Sequence, residues 1–266
     1  MSLSATRTLV LIPVAIALNI VLGSTVQQVL KLPIYMDSVG TILTGVLAGP
    51  LAGLVTGVLT NLIWAYVLPA PLAAPTAGPF AITAGVIGLL AGLWGWLGFF
   101  RSRRSLDPPV LVAAIGVALA VALVIAYTFT HWYASTAVLR LSEVAFTFVV
   151  AVYAGLVAWA LFARRDSGAV LALAAGLVTG VVAALVSAPI AAYVFDGVTG
   201  FGGDAVIAAF RAAGDDLFKA TLKQGLLSDP LDKMVEFLLA FLLLAALPRR
   251  LVARFPNGER VLEPIA

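Results

Sequence analysis

The sequence has no cysteine and a single histidine, which excludes disulfides, thiol catalysis and zinc sites built from cysteine and histidine pairs. Charge is also scarce. Only 11% of the 266 residues are Asp, Glu, Lys or Arg, against about 25% in a soluble domain, and none of these types occurs between Ser38 and Phe100. A bilayer-spanning helix needs roughly 20 predominantly apolar residues, so that uncharged region is long enough to cross or enter a membrane more than once. With 62% hydrophobic residues and a mean hydropathy of +1.09, the chain reads as an integral membrane protein forming one helical membrane domain over residues 1–266. No GxxxxGK[ST] pattern is present, so ATP is not expected to bind through a P-loop.

What remains is a series of apolar runs near residues 8–30, 38–49, 51–68, 80–100, 109–130, 143–163, 170–195 and 230–248. The fold class expected from them is all-α, a polytopic transmembrane bundle of six to eight membrane segments. The first run lacks a small-residue cleavage site and is expected to stay as a helix. The net charge of +3 does not point to nucleic acid, because the arginines stand beside the runs in "RSRR" (101–104), "ARRD" (163–166) and "PRRLVARF" (248–255). All three fall on one side if the later segments alternate, and that side is then cytoplasmic.

Residues 38–68 allow two topologies. One straight helix would be about 46 Å long against a hydrocarbon core of about 30 Å, and Gly49-Pro50 breaks it. A short-helix hairpin broken at Gly49-Pro50 places the N-terminus inside; one kinked crossing places it outside. Arg7 and Lys31 exchange sides between the two, so charge does not choose.

Small residues recur every fourth position at Gly45, Gly49, Gly53 and Gly57, at Ala84, Gly88 and Gly92, and from Gly168 through Gly176 and Gly180 to Ala192. This spacing puts them on one helix face, where they let another backbone approach closely, within the chain or on a partner subunit. An outer amphipathic segment is expected at about 201–227. Within it, Arg211, Asp215, Lys219 and Lys223 form a four-residue ladder opposite Val206, Ile207, Phe210, Leu217 and Phe218 on one helix bent at Gly214. It reads either as an interface helix or as a lid.

Polar residues inside or beside apolar runs are the candidate site. Asp37 either caps the helix beginning near Ser38 or contacts a ligand. Asn19, Gln27, Asn61, Trp64, His131, Trp132, Tyr133 and Glu143 supply further polar or amphipathic groups, with helix pairing and membrane-interface anchoring as their structural alternatives. In "SDPLDKMVEF" (228–237), Asp229 suits a helix cap, Pro230 the first helical position, and Asp232 the first turn. Glu236, one turn farther in, is a costly buried ionisable group and a functional candidate, with Lys233 as its pairing partner. No catalytic residue, metal site or cofactor is expected. Lipid transferases that hold magnesium use several DxxD-type clusters, and Asp229 with Asp232 is the single such spacing.

Three stretches, "LPIYMDSVGTILTGVLAGPLAGLVTGVLTNLI" (32–63), "GPFAITAGVIGLLAGLWGWL" (78–97) and "LLSDPLDKMVEFLLAFLLLAALPRRLVARFP" (226–256), resemble the substrate-binding S components of energy-coupling factor (ECF) vitamin transporters. The resemblance implies a substrate-binding subunit of the bacterial plasma membrane, multi-pass with both termini cytoplasmic, which captures a small water-soluble nutrient and is not itself an enzyme. It also implies partners: a transmembrane coupling subunit and two cytosolic ATPase subunits. By position it makes Tyr35 and Asp37, in the loop at 31–37, ligand contacts. The family has six helices against the eight segments counted here, and its AxxxA motif in the first helix has no match, since Ala15 is followed four residues on by Asn19. A membrane sensor or assembly subunit is the alternative reading.

Overall fold

A computed structural model describes residues 3–30, 32, 34–102, 108, 110, 112–116 and 167–262. The expected segments at 109–130 and 143–163 lie largely or wholly outside the described residues, as do "ARRD" and the second half of "RSRR". Among the described residues the protein is all-helical, with no strand. Helix α1 spans Leu3–Gly23 and runs into a wider π turn at Ser24–Val29. After a non-helical loop come α2 (Val39–Ala48), α3 (Pro50–Tyr66) and α4 (Ala81–Trp96). Farther along, α5 spans Gly168–Tyr193, α6 spans Gly203–Ala212 and α7 spans Leu217–Ala246. Short helices α8 (Arg249–Val252) and α9 (Gly258–Leu262) follow.

The chain reverses between α2 and α3. Gly49 sits at φ 103°, a left-handed conformation that favours glycine, and Pro50 then occupies the first position of α3, where its missing donor costs nothing. A Cβ built on Gly53 would lie 2.8 Å from the Gly45 Cα, whereas a continuous helix would separate residues eight apart by about 12 Å. Of the two topologies open to the sequence, the structure has the hairpin. The ends of the chain agree with it. Arg7 Nη1 donates to the Arg254 carbonyl at 3.1 Å, Arg101 Nε donates to the Arg260 carbonyl at 2.6 Å, and the Asn257 amide donates to the Leu47 carbonyl at 2.9 Å. Both described chain ends, the hairpin tip and the start of the arginine connector therefore share one end of the bundle.

The glycine ladders mesh within the chain. A Cβ on Gly45 would stand 2.7 Å from the Gly88 carbonyl, Gly53 faces the same carbonyl, and Gly57 faces the backbone of Ala84. On the other side, a Cβ on Gly176 would stand 2.6 Å from the Lys233 carbonyl, and one on Gly180 2.6 Å from the Pro230 nitrogen. These contacts seat α4 across the hairpin and α5 along α7. Around them lies a core that includes Ile42, Val46, Leu47, Leu173, Met234 and Phe237. Enlarging Gly88 is therefore expected to force the helices apart, because its Cβ would run into the Gly53 carbonyl. Gly88→Val should cost about 1–3 kcal/mol and lower the melting temperature in detergent by about 5 °C. Gly116→Ala, with nothing among the described residues within 4 Å of the added carbon, should leave it unchanged.

Two expectations need correction. The amphipathic segment is not one helix: Gly214, at φ 100°, ends α6, and Asp216 starts α7 by accepting the Lys219 amide at 2.9 Å. Asp215 then bonds Lys223 across the break at 2.6 Å. The C-terminal helix accordingly begins not at 230 but at Leu217, and Pro230 lies inside it, against Gly180, which leaves the ring room. Asp229 therefore caps nothing. It is buried in mid-helix at 4% exposure.

Candidate binding site

The non-helical segment at 34–38 dips into the protein, with Ile34 and Ser38 buried. Backbone without helical partners survives at depth only where side chains satisfy it. Here α7 does so. Asp232 Oδ1 accepts the amides of Tyr35 at 3.0 Å and Met36 at 2.9 Å, and Glu236 Oε1 accepts the Ser38 amide at 2.6 Å. Ser38 is the N-cap of α2 and its own side chain makes no cap bond; the first-turn amide of Gly40 donates instead to Asn19 Oδ1 at 2.7 Å, and Glu236 holds the Ser38 amide. Asp37 instead accepts from Gln27 Nε2 at 3.0 Å and from the Ser38 hydroxyl at 3.0 Å.

Both supporting carboxylates are fully buried, and one ammonium compensates them. Lys233 Nζ stands 2.7 Å from Asp232 Oδ2 and 2.7 Å from Glu236 Oε2, with Asp37 Oδ1 at 3.6 Å. The cluster is a bolt between loop and helix. Its groups are committed to one another, so a ligand would meet the outer side of the cluster at Asp37 and Lys233.

Above the bolt opens a cavity of about 80 Å³, room for a small compact group and below the roughly 300–1,000 Å³ of drug-sized ligand sites. Five of the residues singled out from the sequence line it: Gln27, Tyr35, Asp37, Asn61 and Trp64. Each is held in place. Gln27 Nε2 also donates to the Tyr35 carbonyl at 2.9 Å, Asn61 Nδ2 to the Ala77 carbonyl at 3.1 Å, and Trp64 Nε1 to the Leu72 carbonyl at 2.9 Å. Tyr35 Oη accepts from Gln224 Nε2 at 3.1 Å, and burial pushes its phenol well above the ordinary range, so the group stays a neutral hydroxyl. Two candidates stand elsewhere. Asn19 is fully buried away from the cavity, where it bonds Thr41 Oγ1, Thr60 Oγ1 and the Gly40 amide and so ties α1 to the hairpin. Glu236 sits beneath the cavity floor in the bolt. His131, Trp132, Tyr133 and Glu143 lie outside the described residues.

The lining also includes residues to which the sequence gave no ligand role. Thr83 comes from α4, Ser187 from α5, Thr221, Gln224 and Asp229 from α7, and Phe80 stacks on Phe195 with ring centroids 5.6 Å apart. The segment from Thr199 to Ile207 covers one side, pinned by Asp204, which accepts from Thr199 and the Gly200 amide. Isolated hydroxyls in apolar helices were the available signal for Thr83 and Ser187. Such residues usually bond their own helix, so spacing alone does not separate the two uses. Among the described residues, no group of three or more His, Asp or Glu side chains is placed to hold a metal ion.

What the fold and site define is, among the described residues, an all-helical protein with a closely packed bundle and a small internal cavity that sets a few polar groups among apolar walls. Among the described residues, two helical stretches, Ala5–Val29 and Gly168–Tyr193, are long and apolar enough to cross a membrane. The chain matches no family model, and comparisons with curated proteins and with solved structures gave no match either.

Proposed function

We propose that the protein is a multi-pass membrane subunit that captures a small water-soluble nutrient from outside for ATP-driven uptake by partner subunits, in the manner of an ECF S component. The observation that carries this reading is the cavity itself, floored by a buried loop and a charge bolt at the end of the bundle opposite the arginines. In this reading α1, α2 with the loop that precedes it, α3, α4, α5 and α7 traverse the bilayer within a set of six to eight segments. Lengths and composition explain why fewer qualify by apolarity alone. Helices α2, α3 and α4 are short, and the middle of α7 carries Asp229, Asp232, Lys233 and Glu236. Exposed Leu9, Val10, Val14 and Val21 on α1 and Val178, Val181 and Leu185 on α5 then face lipid, where close backbone packing rather than water exclusion holds helices together. The arginine-bearing end is cytoplasmic, which puts the cavity toward the outside and both described chain ends inside.

The partners are a transmembrane coupling subunit and two cytosolic ATPase subunits. Affinity purification of the tagged full chain from its native membrane, followed by protein identification, tests this. A membrane protein and ATPases at stoichiometric amounts are expected. Recovery of the chain alone, with no ATPase, would turn the reading to a sensor or assembly subunit.

A further inference from the structure

Lys233 answers Asp232, Glu236 and Asp37, but it does not answer Asp229. The Asp229 carboxylate lines the cavity and is 4% exposed. Its Oδ2 accepts from the Ser187 hydroxyl at 3.2 Å, and its Oδ1 has no partner. A second polar atom in the same cavity, Thr83 Oγ1 on α4, is also buried without a partner. A buried polar atom left unbonded is destabilising, and more so when it carries charge. Two in one cavity mark positions where a ligand would supply the missing bonds.

Charge fixes the class of that ligand. Among the described residues, Asp37, Asp204 and Asp229 line the cavity with Lys233 as the one cationic side chain, and that ammonium is already engaged. A bare metal ion is a poor match, since no group of three potential ligands converges among the described residues. The remaining walls are apolar or aromatic, including Trp64, Phe80 and Ile87. Resting on the importer reading above, we infer that the cavity takes a small organic cation: a flat apolar body carrying a protonated amine, amidinium or heterocyclic nitrogen that donates to Asp229 Oδ1. A hydrogen bond between such a nitrogen and a carboxylate is charge-assisted and about twice as strong as a neutral one. Thr83 Oγ1 meets a polar atom of the ligand from the α4 side.

The test uses two probes of the same shape and different charge, benzamidinium and benzamide, titrated calorimetrically into the detergent-solubilised full chain at pH 7. The wild-type protein is expected to bind benzamidinium at least tenfold more tightly than benzamide. Asp229→Asn should erase that preference while its melting temperature stays within a few degrees. Equal affinities for the two probes, no binding of benzamidinium, or a preference that Asp229→Asn retains would each overturn the cation assignment. If the variant does not fold, the wild-type comparison decides by itself. The importer reading fails by a different result, the absence of an ATPase among the co-purifying proteins.

Discussion

Lys233→Ala should be the most damaging single substitution in the charge bolt. The lysine is 3% exposed in its side chain and sits 2.7 Å from each of two carboxylates that are fully buried. Removing it leaves Asp232 and Glu236 facing each other without a cation, and breaking a buried ion pair from one side costs about 3–5 kcal/mol. For a chain of this size that corresponds to a fall of about 10 °C in melting temperature. The same carboxylates hold the amides of Tyr35, Met36 and Ser38, so the cavity floor should loosen with them. A compensating change separates charge from shape. Lys233→Met combined with Glu236→Gln removes one positive and one negative group, while the glutamine oxygen still accepts the Ser38 amide. It should recover a large part of the loss. Thermal unfolding of both variants in detergent measures this, and a fall of less than about 2 °C for Lys233→Ala would show that the bolt is not under electrostatic load.

The second large effect concerns sidedness, and the absence of cysteine makes it directly accessible. Single cysteines at Thr6, Ala70, Ala213 and Ala253, all exposed, sample both ends of the bundle. The hairpin at Gly49 places Thr6 with Ala253 and places Ala70 with Ala213. A membrane-impermeant thiol reagent on intact cells should therefore label Ala70→Cys and Ala213→Cys, and leave Thr6→Cys and Ala253→Cys unlabelled until the membrane is opened. Had residues 38–68 been a single kinked crossing, Thr6→Cys would label from outside. The effect is all or none.

The parts that were legible in the sequence depend on helical period alone. Gly53 and Gly57 lie four apart on α3, as Ala84 and Gly88 do on α4, so each pair shares a helix face and their meshing follows from spacing; Gly45, on α2, reaches the same Gly88 carbonyl only because the chain reverses at Gly49. The direction of the chain at Gly49 did not follow, because a glycine before a proline permits either a kink or a reversal and the flanking charges balance. The misplaced start of α7 has a similar origin. Asp229 and Pro230 have the residue types of a helix start, and Asp216 has them too; only the packing of Pro230 against Gly180 shows which one begins the helix. Asp37 has the residue type and place of a cap for α2, yet the first-turn amide of Gly40 goes to Asn19 on α1, and the Ser38 amide goes to Glu236, 198 residues away. A partnership of that separation leaves no periodic trace in one sequence. The cavity was half visible for the same reason. Gln27, Tyr35, Asp37, Asn61 and Trp64 stand out as polar or amphipathic groups beside apolar runs. Asp229 and Thr83 gain their interest only from bonds they do not make.

The central claim is that the cavity binds a small molecule. Its most direct test is to purify the full chain from cells grown in rich medium, denature it, and identify released compounds by mass spectrometry. A single small compound at close to one per chain, absent from an identically purified unrelated membrane protein, is the predicted result. A protein that folds, melts cooperatively and releases no compound above background, from rich medium and from cell extract added during purification, would contradict it.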